Sequence, residues 1–121
     1  MKSGISNLLV VDDEAVVRDM LRHILIDEGF NVLVAEDGKS AVNTAKENDL
    51  DLALIDIKLP DTNGVQVLEK IKIFRPNLKA IMMTAYENED LIRQALKEGA
   101  YACLFKPFDI AALLDMFEKI I

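Results

Sequence analysis

The sequence is short of several residue types, and each shortage excludes a class of protein. A single cysteine among 121 residues cannot form an intramolecular disulfide or a cysteine-rich zinc site. Only three prolines and five glycines are present, which excludes collagen-like chains. The longest unbroken apolar run covers residues 100–105, and a membrane-spanning helix needs about 20 such residues. The N-terminal residues show no signal-peptide pattern, so we expect a protein of the cytoplasm without membrane association.

Basic residues are also few. There are 14 of them against 21 acidic residues, which gives a net charge of −7. Broad binding to nucleic acid or to an anionic membrane rewards clustered Lys and Arg, so we expect neither. The net negative charge favours binding of cations or of basic surfaces on a partner protein. Apolar residues make up 51% of the chain, which is enough for one hydrophobic core and excludes a disordered chain.

Short apolar runs alternate with longer amphipathic stretches along the chain. Runs of four apolar residues are typical of strands buried on both faces of a parallel sheet, and they occupy Leu8–Val11, Val32–Ala35, Leu52–Ile55, Ala80–Met83 and Ala102–Phe105. The stretches between them have helical spacing. Gly29 and Gly99 follow two of these helices as stop signals, and Asp109 is a good N-cap for the last. Five strand–helix units predict a three-layer α/β domain with right-handed crossovers, covering residues 1–121 as one domain.

Ionisable and hydroxyl side chains follow four of the five predicted strands. Asp12 and Asp13 follow the first strand and Asp56 the third, while Thr84 and Lys106 follow the fourth and fifth. In doubly wound sheets this edge is where ligands bind. Taken singly, Asp12 or Asp13 could cap the first helix, and Thr84 or Lys106 could be an ordinary turn residue. Asp56 is harder to explain in this way, because an unpaired carboxylate at the mouth of the sheet is costly.

Taken together, these side chains predict a metal-assisted phosphoryl site. Three carboxylates at one edge repel one another by several kcal/mol at an effective dielectric constant of about 20. A hard divalent cation such as Mg²⁺ removes that repulsion, and Lys106 with Thr84 can hold an oxyanion. Asp56 is then the natural nucleophile for an aspartyl phosphate.

The motifs in this order resemble the receiver domains of two-component response regulators. They are Val11-Asp12-Asp13-Glu14, Leu54-Ile55-Asp56-Ile57-Lys58-Leu59-Pro60 with Asn63-Gly64, Met82-Met83-Thr84-Ala85 and Lys106-Pro107-Phe108. The resemblance covers nearly the whole chain, and within the family it is greatest to single-domain intermediates of sporulation phosphorelays. It implies a flavodoxin-like (βα)₅ fold with strand order 2-1-3-4-5. It also implies a phosphoacceptor protein that is not an enzyme in the usual sense, although it assists its own phosphorylation and slow dephosphorylation.

The resemblance further implies a role for each matching residue. Asp56 accepts a phosphoryl group from a sensor histidine kinase or a histidine phosphotransfer protein, and Thr84 and Lys106 hold the phosphoryl oxygens. Asp13 and Asp56 bind Mg²⁺ (or Mn²⁺) directly, Asp12 binds it through water, and the Lys58 carbonyl contributes. Lys58 and Tyr86 lie at positions that tune the lifetime of the phosphorylated state. We expect a monomer.

Two further features bear on output and partners. Cys103 lies three residues before Lys106, at a position where the family usually carries an aromatic residue or histidine that turns inward on activation. A small thiol cannot report phosphorylation in that way, so we expect phosphoryl transfer rather than a large conformational switch. Apolar residues of the first helix and the last loop predict a surface on which a helical partner docks; they are Val16, Val17, Met20, Pro107 and Phe108.

Other functions for such a fold are less compatible with the sequence. A flavodoxin needs a hydroxyl-rich phosphate loop after the first strand, where Asp12, Asp13 and Glu14 would repel phosphate. In a haloacid-dehalogenase-type phosphatase the Asp-x-Asp motif follows a strand, whereas Asp49-Leu50-Asp51 precedes one. The remaining alternative is the isolated receiver module of a larger DNA-binding transcriptional regulator. No basic recognition element follows Ile121 in this sequence, so that alternative requires a longer reading frame.

Overall fold

Five strands and five helices alternate along the described parts of the chain. The computed structural model describes residues 6–85 and 89–120. The strands are β1 (Asn7–Val11), β2 (Asn31–Ala35), β3 (Leu52–Asp56), β4 (Lys79–Thr84) and β5 (Ala102–Phe105). The helices are α1 (Ala15–Asp27), α2 (Gly38–Glu47), α3 (Gly64–Phe74), α4 (Glu89–Lys97) and α5 (Ile110–Ile120). The predicted alternation of strands and helices is therefore confirmed.

The strands form one parallel sheet in the order β2-β1-β3-β4-β5, which confirms the predicted 2-1-3-4-5 topology. The expectation that every strand is buried on both faces holds for the central strands β1, β3 and β4. It is wrong for β2 and β5, where Val34 is 37% exposed and Phe105 is 40% exposed. These two strands lie at the edges of the sheet, where neighbouring strands and helices cover them on fewer sides.

Helices cover the two faces of the sheet unequally. Because successive side chains of a strand point to opposite faces, Leu8 and Val10 of β1 pack with α1 and α5, while Leu9 and Val11 pack with α2, α3 and α4. On the side of the sheet covered by α1 and α5, Phe117 of α5 and Phe30 meet edge to face, with ring centroids 5.4 Å apart. The arrangement is the predicted three-layer α/β sandwich.

The helix ends follow the signals in the sequence. Gly29 and Gly99 have φ values of 98° and 104°, a conformation that favours glycine after a helix. Asp37 caps α2 by accepting from the backbone N–H of Ser40. The Asp109 carboxylate accepts from the N–H of Ala111 at the start of α5, which confirms the predicted N-cap. Among the helices of the described ranges, none has the length and apolar character needed to cross a bilayer.

Candidate functional site

The carboxyl ends of the parallel strands bring four predicted site residues to one edge of the sheet. Asp12 follows β1, Asp56 ends β3, Thr84 ends β4 and Lys106 follows β5. Asp12, Asp56 and Thr84 are 0%, 6% and 1% exposed, and they are the buried polar or charged residues within 6–85 and 89–120. Burial of polar groups is costly unless they have partners. Their placement at one edge therefore marks this edge as the candidate site.

Lys106 joins two of the buried carboxylates. Its Nζ donates hydrogen bonds to Asp12 Oδ2 and Asp56 Oδ2, each at 2.8 Å. The Oε1 atom of Glu14 lies 3.7 Å from the same nitrogen. The peptide bond between Lys106 and Pro107 is cis. Lys106 thus sits between the ends of β1 and β3 and compensates part of their negative charge.

The second oxygen of each buried carboxylate is held by the backbone. Asp56 Oδ1 accepts from the Lys58 N–H at 3.1 Å, and Asp12 Oδ1 accepts from the Glu14 N–H at 2.9 Å. The exposed Asp13 completes the group, because one carboxylate oxygen from each aspartate lies within 4.8 Å of the others. Three carboxylates at this spacing are hard oxygen donors that suit a divalent cation, and the residues present fit such an ion.

Burial and charge act in opposite directions on the two central groups. Burial raises the pKa of Asp56 above its ordinary value, while the hydrogen bond and charge of Lys106 partly offset that effect. Burial alone would lower the pKa of Lys106, but its hydrogen bonds to Asp12 and Asp56 and their charges outweigh burial and raise it. Lys106 therefore remains a cation at neutral pH.

The other residues predicted for the chemistry lie around this group. The Thr84 hydroxyl donates to the Ala85 carbonyl at 2.7 Å. Lys58 has an exposed side chain, and its backbone pairs with Asn63 across the β3–α3 loop. Cys103 lies on β5, half-buried against the core beneath α2, α3 and α4, and burial raises the pKa of its thiol. Tyr86, predicted to tune the phosphoryl lifetime, lies outside the described residues.

The predicted docking residues divide into two groups. Val16 is 82% exposed and Met20 is 46% exposed on α1, and Pro107 is also exposed. Val17 and Phe108 are only half-buried and pack against the core beneath α1 and α5. The exposed members of the predicted surface are therefore Val16, Met20 and Pro107.

Three residues that hold the site did not stand out in the sequence for that purpose. Arg18 donates from Nη1 to the Asp12 carbonyl at 2.8 Å. Asp61 accepts from the N–H groups of Gly38 and Lys39, which ties the β3–α3 loop to the start of α2. Gly64, quoted above only within a motif, donates its N–H to the Ile57 carbonyl at 2.7 Å. Each acts on or through the backbone, so only a tertiary structure reveals its partner.

Comparison with known proteins gives the same family along nearly the whole chain. The sequence model of the response regulator receiver domain matches residues 8–118. Sporulation initiation phosphotransferase F of Bacillus subtilis is 33% identical over 112 residues, covering 93% of this chain and 90% of that protein. Several other curated relatives are much longer, and the match spans only 24% of a transcriptional regulatory protein from Klebsiella oxytoca.

Two solved structures show the similarity in three dimensions. A CheY-like response regulator receiver domain protein from Methanospirillum hungatei superposes with a TM-score of 0.92 at 34% identity, covering 96% of this chain and 93% of the other. A response regulator protein from Burkholderia pseudomallei, whose structure holds a phosphorylated aspartic acid, a calcium ion and citrate, has a TM-score of 0.84 at 26% identity, covering 90% and 64%. The fold, the family match and these relatives agree, and the chain belongs to the receiver domains of two-component response regulators.

Proposed function

We propose that this receiver domain accepts a phosphoryl group on Asp56 from a phosphohistidine and passes it to another protein. The observation that carries the proposal is the buried Asp56 carboxylate, held by the Lys106 ammonium at 2.8 Å beside Asp12 and Asp13. In the transfer, a carboxylate oxygen of Asp56 attacks phosphorus and the P–N bond breaks. The imidazole nitrogen keeps the electron pair, and the histidine leaves as a neutral ring because its other nitrogen carries a proton.

Lys106 and Thr84 supply the donors for the transferred group. Charge-assisted hydrogen bonds from an ammonium are strong in a site shielded from water. Lys106 already faces Asp56, and the Thr84 hydroxyl at the end of β4 turns from the Ala85 carbonyl toward the phosphoryl oxygens. Asp56 is thus a nucleophile and the other two residues stabilise charge, so the protein assists its own phosphorylation without turning over a substrate.

Asp12, Asp13, Asp56 and the Lys58 carbonyl are the groups that would hold Mg²⁺ or, in its place, Mn²⁺. A bound divalent cation supplies charge neutralisation for the carboxylates and the incoming phosphoryl group. The carboxylate cluster supports this assignment. So does the relative whose structure holds a calcium ion together with a phosphorylated aspartic acid.

The proposed partners are a sensor histidine kinase, a histidine phosphotransfer protein, or both, acting on a monomer in the cytoplasm. Val16, Met20 and Pro107 are the exposed apolar members of the proposed docking surface, and Val17 and Phe108 are its half-buried members. Because Cys103 stands at the switch position, transfer rather than a large rearrangement is the proposed output. Lys58 and Tyr86 are proposed to cover the approach of water, which makes hydrolysis slow.

The second candidate is the receiver module of a longer transcriptional regulator. The much longer curated relatives favour it, whereas sporulation initiation phosphotransferase F, matched over 90% of its length, favours a domain that acts alone. An in-frame extension encoding a DNA-binding segment would decide for the regulator.

The test is labelling by acetyl phosphate or by a phosphorylated histidine kinase in the presence of Mg²⁺. Wild type and the exposed control Asp27→Asn are expected to form a hydroxylamine-sensitive phosphoprotein, and Asp56→Asn is expected to form none. Excess EDTA is expected to abolish labelling of the wild type. Persistent hydroxylamine-sensitive label on Asp56→Asn would reject Asp56 as the acceptor, and full labelling in EDTA would reject the metal requirement.

A further inference from the structure

Arg18 makes a contact with the candidate site that its position on α1 does not suggest. Its guanidinium Nη1 donates to the main-chain carbonyl of Asp12 at 2.8 Å. Within residues 6–85 and 89–120, this carbonyl is the hydrogen-bond partner of the Arg18 side chain. A long, partly buried side chain reaches back one helical turn to hold one peptide group of the β1–α1 loop.

That contact completes the restraint of Asp12. Its N–H donates to the Ala35 carbonyl of β2 at 3.1 Å, and its two carboxylate oxygens accept from Glu14 and Lys106. The carbonyl bound by Arg18 is the remaining polar atom. With it, every hydrogen-bonding group of Asp12 has a partner, and the residue is 0% exposed.

Asp13 depends on the same peptide group. Its side chain is exposed and makes no hydrogen bond or ion pair within the described ranges, yet its carboxylate lies within 4.8 Å of the carboxylates of Asp12 and Asp56. The peptide plane between Asp12 and Asp13 sets the position of the Asp13 Cα atom. The restraint on Asp13 therefore comes from the backbone, and Arg18 holds the oxygen of that peptide.

We propose that Arg18 is a positioning residue that keeps the Asp12–Asp13 peptide oriented so that Asp13 can bind the divalent cation. The inference rests on the proposed function for the identity of the cation. It also predicts the direction in which the cation affinity changes when Arg18 is removed, and this direction is opposite to the one that charge repulsion alone predicts. If the positive charge of Arg18 were its main influence, removing it would lessen repulsion and tighten cation binding. If positioning dominates, removing it weakens binding, because a ligand held out of place costs affinity.

The test measures Mg²⁺ binding by calorimetry or NMR titration in Arg18→Met, with Arg22→Met, an exposed arginine of the same helix, as the matched control. Arg18→Met is expected to weaken Mg²⁺ binding about tenfold, the lower end of the effect of losing a group that orients a metal ligand. Arg22→Met is expected to match the wild type. Arg18→Lys, which keeps a donor and the charge, should recover part of the affinity. Because screening weakens charge effects at high ionic strength, the loss in Arg18→Met should persist there.

Hydrogen exchange of single amides supplies a readout that is independent of phosphorylation. The Glu14 N–H, bound to Asp12 Oδ1, is expected to exchange faster in Arg18→Met, while the amides of β3 and β4 keep their protection. Should Arg18→Met fail to fold, Arg18→Gln carries the same expectation with a polar side chain. Unchanged or tighter Mg²⁺ binding in a folded variant would overturn the inference. Asp13→Asn tests the cation site separately from the role of Arg18. If this variant too binds Mg²⁺ normally, the proposed cation site itself fails.

Discussion

At the scale of single residues, the site is organised around one positively charged side chain, that of Lys106. The Lys106 ammonium contacts two carboxylates at the ends of the neighbouring strands β1 and β3 and lies near a third. Removing one member of a buried charge pair leaves its partner uncompensated. The cost of doing so is larger than the net stabilisation that the intact pair provides. A divalent cation held by Asp12, Asp13 and Asp56 would compete with Lys106 for the negative charge of these carboxylates, and this competition has a measurable consequence.

We predict that Lys106→Met destabilises the metal-free protein and binds Mg²⁺ more tightly. The loss in the free energy of unfolding should be about 2 kcal/mol, below the 3–5 kcal/mol of a fully enclosed pair, because the Lys106 side chain is 20% exposed. The gain in Mg²⁺ affinity should be about tenfold, since one competing positive charge is gone. Phosphorylation should nevertheless be lost with the donor. Urea denaturation measures the change in stability, and calorimetry measures the change in Mg²⁺ affinity.

The control for this experiment is Lys119→Met. Lys119 forms a surface pair with Asp115 at 3.2 Å, and both side chains are about two-thirds exposed. Such pairs contribute little, so neither stability nor Mg²⁺ affinity should change appreciably. Weaker Mg²⁺ binding in Lys106→Met would contradict the competition described above.

The placement of the residues proposed to carry the chemistry was predictable, whereas that of the residues holding them was not. Asp56, Thr84 and Lys106 were found because carboxyl ends of parallel strands share an edge, and this rule needs only the strand boundaries. Arg18 acts on a main-chain carbonyl that any residue possesses, so nothing in the sequence marks its partner. Asp61 likewise binds two backbone N–H groups from a distant part of the chain.

At the scale of elements, α3 begins against the end of β3. A Cβ atom added at Gly64 would lie 2.4 Å from the Asp56 carbonyl oxygen and 2.9 Å from the Ile57 Cα atom. Both are backbone atoms, which cannot turn away as the end of a side chain can. Gly64 therefore permits the close approach that places α3 beside the residue proposed to be phosphorylated.

We predict that Gly64→Ala lowers the free energy of unfolding by about 3 kcal/mol, at the upper end of overpacking costs, and slows labelling of Asp56. The matched variant is Gly38→Ala at the start of α2. There the added methyl group meets only side-chain atoms, chiefly Cγ2 of the half-buried Thr62, which can turn aside, so the loss should be about 1 kcal/mol, at the lower end of overpacking costs. Equal losses in the two variants, measured by thermal and urea denaturation, would contradict this distinction.

Asp61 links α2 to the β3–α3 loop through a charge that titrates. Hydrogen bonds from the Gly38 and Lys39 N–H groups lower the pKa of Asp61 below 3.8, the first of them having the largest effect. A carboxyl whose pKa is lower in the folded protein than in the unfolded chain stabilises the fold above the unfolded value. That contribution is lost as the pH falls through the folded value.

We therefore predict that Asp61→Ala lowers Tm by a few degrees at neutral pH, and that the difference from wild type shrinks as the pH falls below 3.8. Thermal denaturation across this pH range checks both parts. Asp27→Ala, at an exposed site near the end of α1, is the control. A difference between wild type and Asp61→Ala that is constant with pH would show that the carboxylate charge is not responsible.

The elements themselves were largely predictable, because the apolar runs and stop signals are local. The glycine signals at Gly29 and Gly99 and the cap at Asp109 each act within a few residues of the helix end that they mark. Burial of the edge strands was not predictable from the runs alone. Val34 and Phe105 belong to runs as apolar as those of the central strands, and only the sheet order places them at an edge.

At the scale of the whole molecule, the carboxyl edge of the sheet, which carries the site, and its amino edge lie at opposite ends of the domain. Helices α1 and α3 both begin at the carboxyl edge, beside the site, and end at the amino edge. Val16 therefore lies near the site, and Ile73, in the last turn of α3, lies at the far end of the molecule. Both are exposed, at 82% and 76%, so an experiment can compare two similar apolar side chains that differ in their distance from Asp56.

We predict that Val16→Ala combined with Met20→Ala slows phosphoryl transfer from a phosphohistidine protein by about tenfold or more, equivalent to about 1.4 kcal/mol of lost contact. Labelling by acetyl phosphate should be unchanged, because a small donor needs the chemistry of the site but no docking surface. Stability should also be unchanged, since these side chains are exposed. The donor is first chosen by profiling the histidine kinases of the same cell. Ile73→Ala should transfer at the wild-type rate, and an equal loss there, or an equal loss with acetyl phosphate, would place the docking surface elsewhere.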